Sequence, residues 1–239
     1  MIIVGINAVT EALRTGRVAS LRLGRRNDRR LQELLTLAEQ SSVPVRRVRE
    51  EELDREAGGS PHQGVIAEVS DRRIYELDDL IHDAEVTPPA LLVVLDGVED
   101  PHNLGAILRS VDAVGAHGLV RQTRHSAPLS AVVGKASAGA VAHVKIADVV
   151  NVARAVEELK EAGIWTVGLA GDAAQTYDKM DFTLPTAVIV GAEGSGLRRL
   201  VRERCDFLAS IPMKGHVDSL NVSVAAGVVL FEAVRQRQR

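Results

Sequence analysis

Residues 90–111 read ALLVVLDGVEDPHNLGAILRSV, and this stretch sets the fold class. Its core, 91–95 (LLVVL), is apolar at every position, as in a strand covered on both faces. A polar loop follows, and then Leu104, Ile107, Leu108 and Val111 recur at helical spacing. Similar apolar runs return at 118–120, 165–169, 187–190 and 207–211, separated by helical patterns at 104–114, 152–162 and 197–205. Strands alternating with helices predict an α/β architecture: a parallel sheet between helix layers. A last helix is predicted where Val222, Ala225, Ala226, Val229, Leu230, Ala233 and Val234 follow the i, i+3, i+4 pattern.

Upstream the character changes. Residues 1–70 read as a small α/β unit with strands at 2–4, 43–48 and 62–69 and helices at 7–15 and 31–39. Residues 71–89, charged and ending in Pro88-Pro89, read as a linker holding about one helical turn. The second domain then occupies 90–239.

Composition narrows the function. With 46% apolar and 26% charged residues in a chain of 239, wholesale disorder is excluded. Lys plus Arg is 29 and Asp plus Glu is 32, a net charge of −3 that advertises no polyanion partner. Aromatic residues make up only 3%, against any module that stacks bases on a ring platform. Cys205 is alone, so there is no internal disulfide and no multi-cysteine metal site, and the His and carboxylates show no metal-ligand spacing. The start lacks signal-peptide features and no run of ~18 apolar residues spans a bilayer, so the expectation is a soluble cytoplasmic protein without a membrane partner. Arginine dominates the cations: Arg22, Arg25, Arg26, Arg29 and Arg30 fall together, and Arg46, Arg47 and Arg49 follow. Arginine's planar fork suits phosphate, but the cluster alone reads as a solvated face.

In open parallel sheets ligands bind beyond the carboxyl ends of the strands, and three loops there carry more polar groups than turns need. In the first, 96–109, Asn103 is expected to cap the next helix, with Arg109 pointing back toward the helix start. The second, 191–197 (GAEGSGL), is glycine-rich but has neither dinucleotide-fold spacing nor the lysine of a P-loop. The third, 211–223, clusters Ser219, Asn221 and Ser223 with Met213 and Leu220, an apolar wall suited to an adenine ring. Each alone is weak.

Taken together, in this order, the three segments resemble the three motifs of the SpoU–TrmH family of RNA ribose 2′-O-methyltransferases. The matching positions are Asn103, Gly105 and Arg109; Gly191, Glu193 and Gly196; and residues 219–223 (SLNVS). Residues 5–13 (GINAVTEAL) and 61–64 (PHQG) resemble the ribosomal-protein-like RNA-binding domain of the bacterial branch that methylates a guanosine of 23S rRNA. The resemblance implies a carboxy-terminal trefoil-knotted (SPOUT) methyltransferase domain, S-adenosylmethionine as cofactor, RNA as substrate, and a homodimer that completes the site. It implies a cofactor pocket of Leu169, Ala170, Gly171, Gly191, Gly196, Ile211, Met213 and Leu220. It implies catalytic roles for Asn103, Arg109, Glu193, Ser219 and Asn221, with Glu193 pairing a positive group such as Arg109. It turns Arg22, Arg25, Arg26, Arg29 and Arg30 into an expected RNA-binding face. A tRNA or antibiotic-resistance rRNA target, a non-catalytic ribosome assembly factor, and a small-molecule enzyme holding a nucleotide at 191–196 are the alternatives.

Overall fold

The amino-terminal sheet is built from β1 (Ile2–Val4), β2 (Val18–Leu23), β3 (Val45–Arg47) and β4 (Val65–Val69), with α1 (Ile6–Arg14), α2 (Arg29–Gln40) and α3 (Glu50–Ala57) between them. The computed structural model describes residues 2–14, 16, 18–26, 28–59, 61–69, 75–129 and 131–238. Thr15 and residues 71–74, part of the expected first helix and linker, lie outside them. The chain divides into two compact units, Met1–Arg73 with Leu129–Lys135, and Ile74–Pro128 with Ala136–Arg239.

In the first unit the strand order is β1-β4-β2-β3, with β4 antiparallel to both neighbours and β2 parallel to β3. Val9, Ala12 and Leu13 of α1 and Leu31, Leu34 and Ala38 of α2 bury their stripes against Leu21, Leu23, Val65 and Ala67. The strand expected from residue 62 starts at Val65. Residues 62–64 form a turn instead, in which Gln63 takes φ +53° and its side chain accepts the Ile6 N–H at 3.0 Å. β2 buries Val18, Leu21 and Leu23 around a single arginine, Arg22, a pattern too short to mark a strand, and α3, with Leu53 as its one buried residue, carries too short an apolar stripe to stand out.

The second unit contains α4 (Leu77–Val86), β5 (Leu91–Asp96), α5 (Pro101–Ala113), β6 (Gly118–Gln122), β7 (Ile146–Val149), α7 (Val152–Glu161), β8 (Trp165–Leu169), β9 (Thr186–Gly191), α8 (Arg199–Arg204), β10 (Phe207–Ala209) and α9 (Val222–Arg237), while α6 (Ala131–Ala136) falls largely in the first. Its six strands run β10-β8-β9-β5-β6-β7, every pair parallel. Central β5 and β9 are buried at every residue, which is why both read as unbroken apolar runs. The linker expectation for 71–89 is corrected by α4, a ten-residue helix whose Leu77, Leu80 and Ala84 join this core. Its charged residues made the segment look solvated, although they occupy only the outer face.

Two features of the last helix position the site. β10 is an edge strand, yet α9 packs on α5 and β9, so residues 210–221 return across the carboxyl ends of β8 and β9. The expected knot depends on this return course. At the other end of α9, Arg237 is half-buried and donates to the carbonyls of Pro89, Ala90, Phe182 and Leu184 at 2.7–3.0 Å.

Candidate active site

The loops after β5 and β9 and the start of α9 meet at one end of the parallel sheet. Asp100, not Asn103, caps α5: its carboxylate accepts the His102 N–H at 2.8 Å, and Pro101 fills the first helical position. This corrects the expected cap and frees the Asn103 side chain, which is only 6% exposed in the first helical turn. Asn103 Nδ2 donates to Glu193 Oε2 at 3.1 Å, and Asn103 Oδ1 accepts from Asn221 Nδ2 at 2.9 Å. A carboxylate can only accept, so Glu193 fixes which end of the Asn103 amide faces it. Asn221 in turn caps α9 by accepting from the Ser223 N–H at 3.0 Å and the Ser223 hydroxyl at 2.6 Å. One hydrogen-bonded chain, Glu193–Asn103–Asn221–Ser223, therefore joins all three sequence segments.

Glycine at two motif positions is a packing requirement. A Cβ on Gly191 would lie 2.2 Å from the Gly196 carbonyl carbon, so no side chain fits there. The turn is closed by reciprocal bonds, Ala192 N to Gly196 O at 3.1 Å and Gly196 N to Ala192 O at 2.9 Å. A Cβ on Gly105 would approach the Ala136 Cβ to 2.4 Å, so α5 seats against residues 136–137 only with glycine. Asp96, fully buried at the end of β5, holds the foot of the glycine turn: it accepts the Arg198 N–H at 2.8 Å and the Arg198 Nε–H at 2.6 Å.

These loops enclose a cleft of about 610 Å³. All eight positions expected to form a cofactor pocket line it: Leu169, Ala170, Gly171, Gly191, Gly196, Ile211, Met213 and Leu220. Glu193, Ser219 and Asn221 line it too, and the Ser219 hydroxyl donates to Asp218 Oδ1 at 3.0 Å. A second cleft of about 340 Å³ lies beside it, floored by Gly97, Asp100 and Asn103. The two share Ala192, Glu193, Ser195 and Val222 as a partition.

Arg109 is not brought to this cluster within one chain. It is exposed on α5, lines neither cleft, and makes no hydrogen bond or ion pair among the described residues. Within one chain the expected pairing of Glu193 with Arg109 is not formed, and Glu193 accepts from the Asn103 amide.

Sequence reasoning missed two supports. Arg198 clamps Asp96 across 102 positions, and Arg202 forms a two-pronged pair with Asp172 at the cleft rim, both contacts at 2.9 Å. The Arg202 hydrogen bonds hold the Asp172 carboxyl below the usual range. A charged residue closing an apolar strand was the only sign of the first, and nothing local marked the second. Cys205, packed against the sheet core, has its thiol pushed up to about 12 by burial, with the charges of Asp206 and Asp96 adding to the effect. Among the described residues no cluster of three or more His, Cys, Asp or Glu is placed to hold a metal ion, and no helix is long and apolar enough to cross a membrane.

Residues 90–231 match the SpoU rRNA Methylase family, and residues 2–75 match the family of RNA 2′-O ribose methyltransferase substrate binding domains. The chain is 50% identical over 216 residues to the 23S rRNA (guanosine-2′-O-)-methyltransferase RlmB of Pseudomonas putida, covering 89% of this chain and 86% of that one. It is 46% identical over 239 residues to the protein of the same name from Yersinia pestis, with 99% and 97% covered. Among solved structures it is similar to the SpoU methyltransferase AviRb of Streptomyces viridochromogenes in complex with AdoMet, at 30% identity and a TM-score of 0.65, covering 100% of this chain and 90% of that one. An AdoMet-bound rRNA methyltransferase from Sinorhizobium meliloti superposes with a TM-score of 0.63 at 26% identity, over 98% of this chain and 86% of that one.

Proposed function

Because the chain belongs to the SpoU rRNA methylase family, we propose that it transfers a methyl group from S-adenosylmethionine to the ribose 2′-hydroxyl of a guanosine in 23S rRNA, acting in the cytoplasm. The observation that carries this reading is the Glu193–Asn103–Asn221 chain on the partition between two clefts. The larger cleft is within the size range of small-ligand sites. Its glycine turn keeps side chains out of the space where backbone would read an adenine edge, and Ile211, Met213 and Leu220 supply apolar walls. S-adenosylmethionine supplies an electrophilic methyl group on a sulfonium. Glu193, Asn103 and Asn221 would hold the partition still, so that a sugar hydroxyl presented from the smaller cleft approaches in line. Such positioning is worth several kcal/mol of barrier.

A guanidinium stays protonated, so Arg109 serves as a fixed positive charge for the developing alkoxide or the adjoining phosphate rather than as a base. The proposed homodimer brings that charge in. α9 is apolar on two sides: Ala226, Val229 and Leu230 are buried, while Val224 and Phe231 are 50% and 54% exposed. α5 packs beside α9, so a second copy covering the outward face of α9 would receive Arg109.

Transfer of radiolabelled methyl to 23S rRNA fragments, followed by mapping of the modified ribose, tests the reading. The wild type should label a single guanosine, and Arg109→Ala should lose at least about 100-fold, as when a charge-stabilising donor is removed. A wild type that binds RNA and S-adenosylmethionine yet transfers nothing would make the chain a binding protein.

A further inference from the structure

The expected RNA-binding arginines are not equivalent. Arg22 is enclosed by Glu56 and Glu68, Arg26 pairs with Asp28 at 2.6 Å, and Arg29 pairs with Glu33 at 3.1 Å. Each of these charges is neutralised by its own unit. Arg25 differs. Parallel strands β2 and β3 end side by side, and the loops leaving their carboxyl ends form an open groove of about 540 Å³ lined by Arg25, Arg46, Arg47 and Arg49. All four are exposed, and none has an ion-pair partner among the described residues; Arg47 donates to the Gly24 carbonyl at 3.3 Å. One acid, Glu52, lies on the wall, while Glu50 and Glu51 share the first turn of α3 beside it. Four guanidinium groups against Glu52, with Glu50 and Glu51 beside it, leave the groove net positive in a chain whose total charge is −3. All three residues of β3 are exposed, so nothing in this unit covers the groove along its edge strand.

We infer that this groove, rather than the Arg22–Arg30 cluster as a whole, grips the phosphate backbone of the substrate RNA. The inference rests on the proposed RNA substrate and specifies where the amino-terminal unit holds it. Structured RNA is held through phosphates and 2′-hydroxyls without stacking platforms, and arginine forks match phosphate oxygens in pairs. The groove contains no aromatic side chain and a row of forks. Each neutralised phosphate releases counterions, steepening the salt dependence of binding by about 0.7–0.9 in logarithmic slope.

Filter binding of the full chain to a structured 23S rRNA transcript, from 0.05 to 0.5 M KCl, tests this. The variant Arg25→Ala, Arg46→Ala, Arg47→Ala, Arg49→Ala should bind about 100-fold more weakly near 0.15 M salt, with a slope lower by about 3. Its S-adenosylmethionine affinity by calorimetry should not change. Arg26→Ala with Arg29→Ala should bind RNA within about threefold of wild type. A quadruple variant that binds like the wild type, or a control pair that loses as much, overturns the inference. If the quadruple variant fails to fold because these charges guard an edge strand, single reversals Arg46→Glu and Arg49→Glu decide: each should weaken binding about tenfold, and two silent reversals overturn it. Binding is read without turnover, so a chain that holds RNA by the groove but transfers no methyl defeats the proposed reaction alone.

Discussion

Replacing Asn103 by aspartate tests the joint of the site with almost no change of shape. The introduced carboxyl would put one oxygen where Nδ2 now lies, 3.1 Å from Glu193 Oε2. Two unit charges at that separation repel by about 5 kcal/mol at an effective dielectric of ~20 and by about 1 kcal/mol at that of water. Glu193 is exposed, so screening favours the lower part of that range, about 1–3 kcal/mol. A protonated carboxyl would instead donate to Glu193 and still accept from Asn221, restoring both bonds. Repulsion raises the introduced group's affinity for its proton, so the intact arrangement is present at low pH and is lost as pH rises. Single-turnover methyl transfer of Asn103→Asp, normalised to wild type from pH 5 to 8.5, should show a deficit growing about 10- to 100-fold toward alkaline pH. Asn103→Ala, which removes both bonds, should be impaired to the same degree throughout. An aspartate variant as active as wild type at pH 8, or with a flat profile, would refute the joint.

The same structure makes three further predictions. Gly191→Ala forces a methyl group into the Gly196 backbone; S-adenosylmethionine binding by calorimetry should vanish, at a stability loss of about 3 kcal/mol or more. Arg198→Ala should destabilise more than Asp96→Asn, because it leaves a fully buried carboxylate short of its partner whereas Arg198 itself is 49% exposed; about 3–5 kcal/mol against about 1–2 kcal/mol should separate the two melting temperatures clearly. Cys205, with its thiol raised from 9.0 to about 12, should react with iodoacetamide at pH 8 about 1000-fold more slowly in the native protein than in urea. Its protonated form is the one favoured by folding, so that share of stability is complete below about pH 9 and drains away toward pH 12.

The site was legible in outline because its determinants are local: glycines, caps and apolar runs mark the ends of β5 and β9. The geometry was less so. Asn103 has the chemistry of a cap, and only the position of Asp100 and Pro101 shows that the helix begins earlier and leaves Asn103 to bind across the cleft. A positive group such as Arg109 was the expected partner of Glu193; that Asn103 takes its carboxylate within the chain depends on how α5 lies, which periodicity does not encode. α4 was hidden because charges on a solvent face outvote three buried apolar side chains in any compositional reading. Among the arginines, identity and spacing were visible but neutralisation was not: Glu56 and Glu68 reach Arg22 from 34 and 46 positions away.

Arg237 has a consequence for how the protein is made. Its guanidinium fastens the entry to β5 and the turn before β9 to the last helix, linking residues up to 148 positions apart. The sheet of the first unit closes at Val69 and can assemble while the ribosome is still translating. The second unit has no such early completion. The carbonyls of Pro89 and Phe182, ahead of β5 and β9, receive the Arg237 guanidinium only once residue 237 has left the exit tunnel, so this half of the molecule is fastened later than the first.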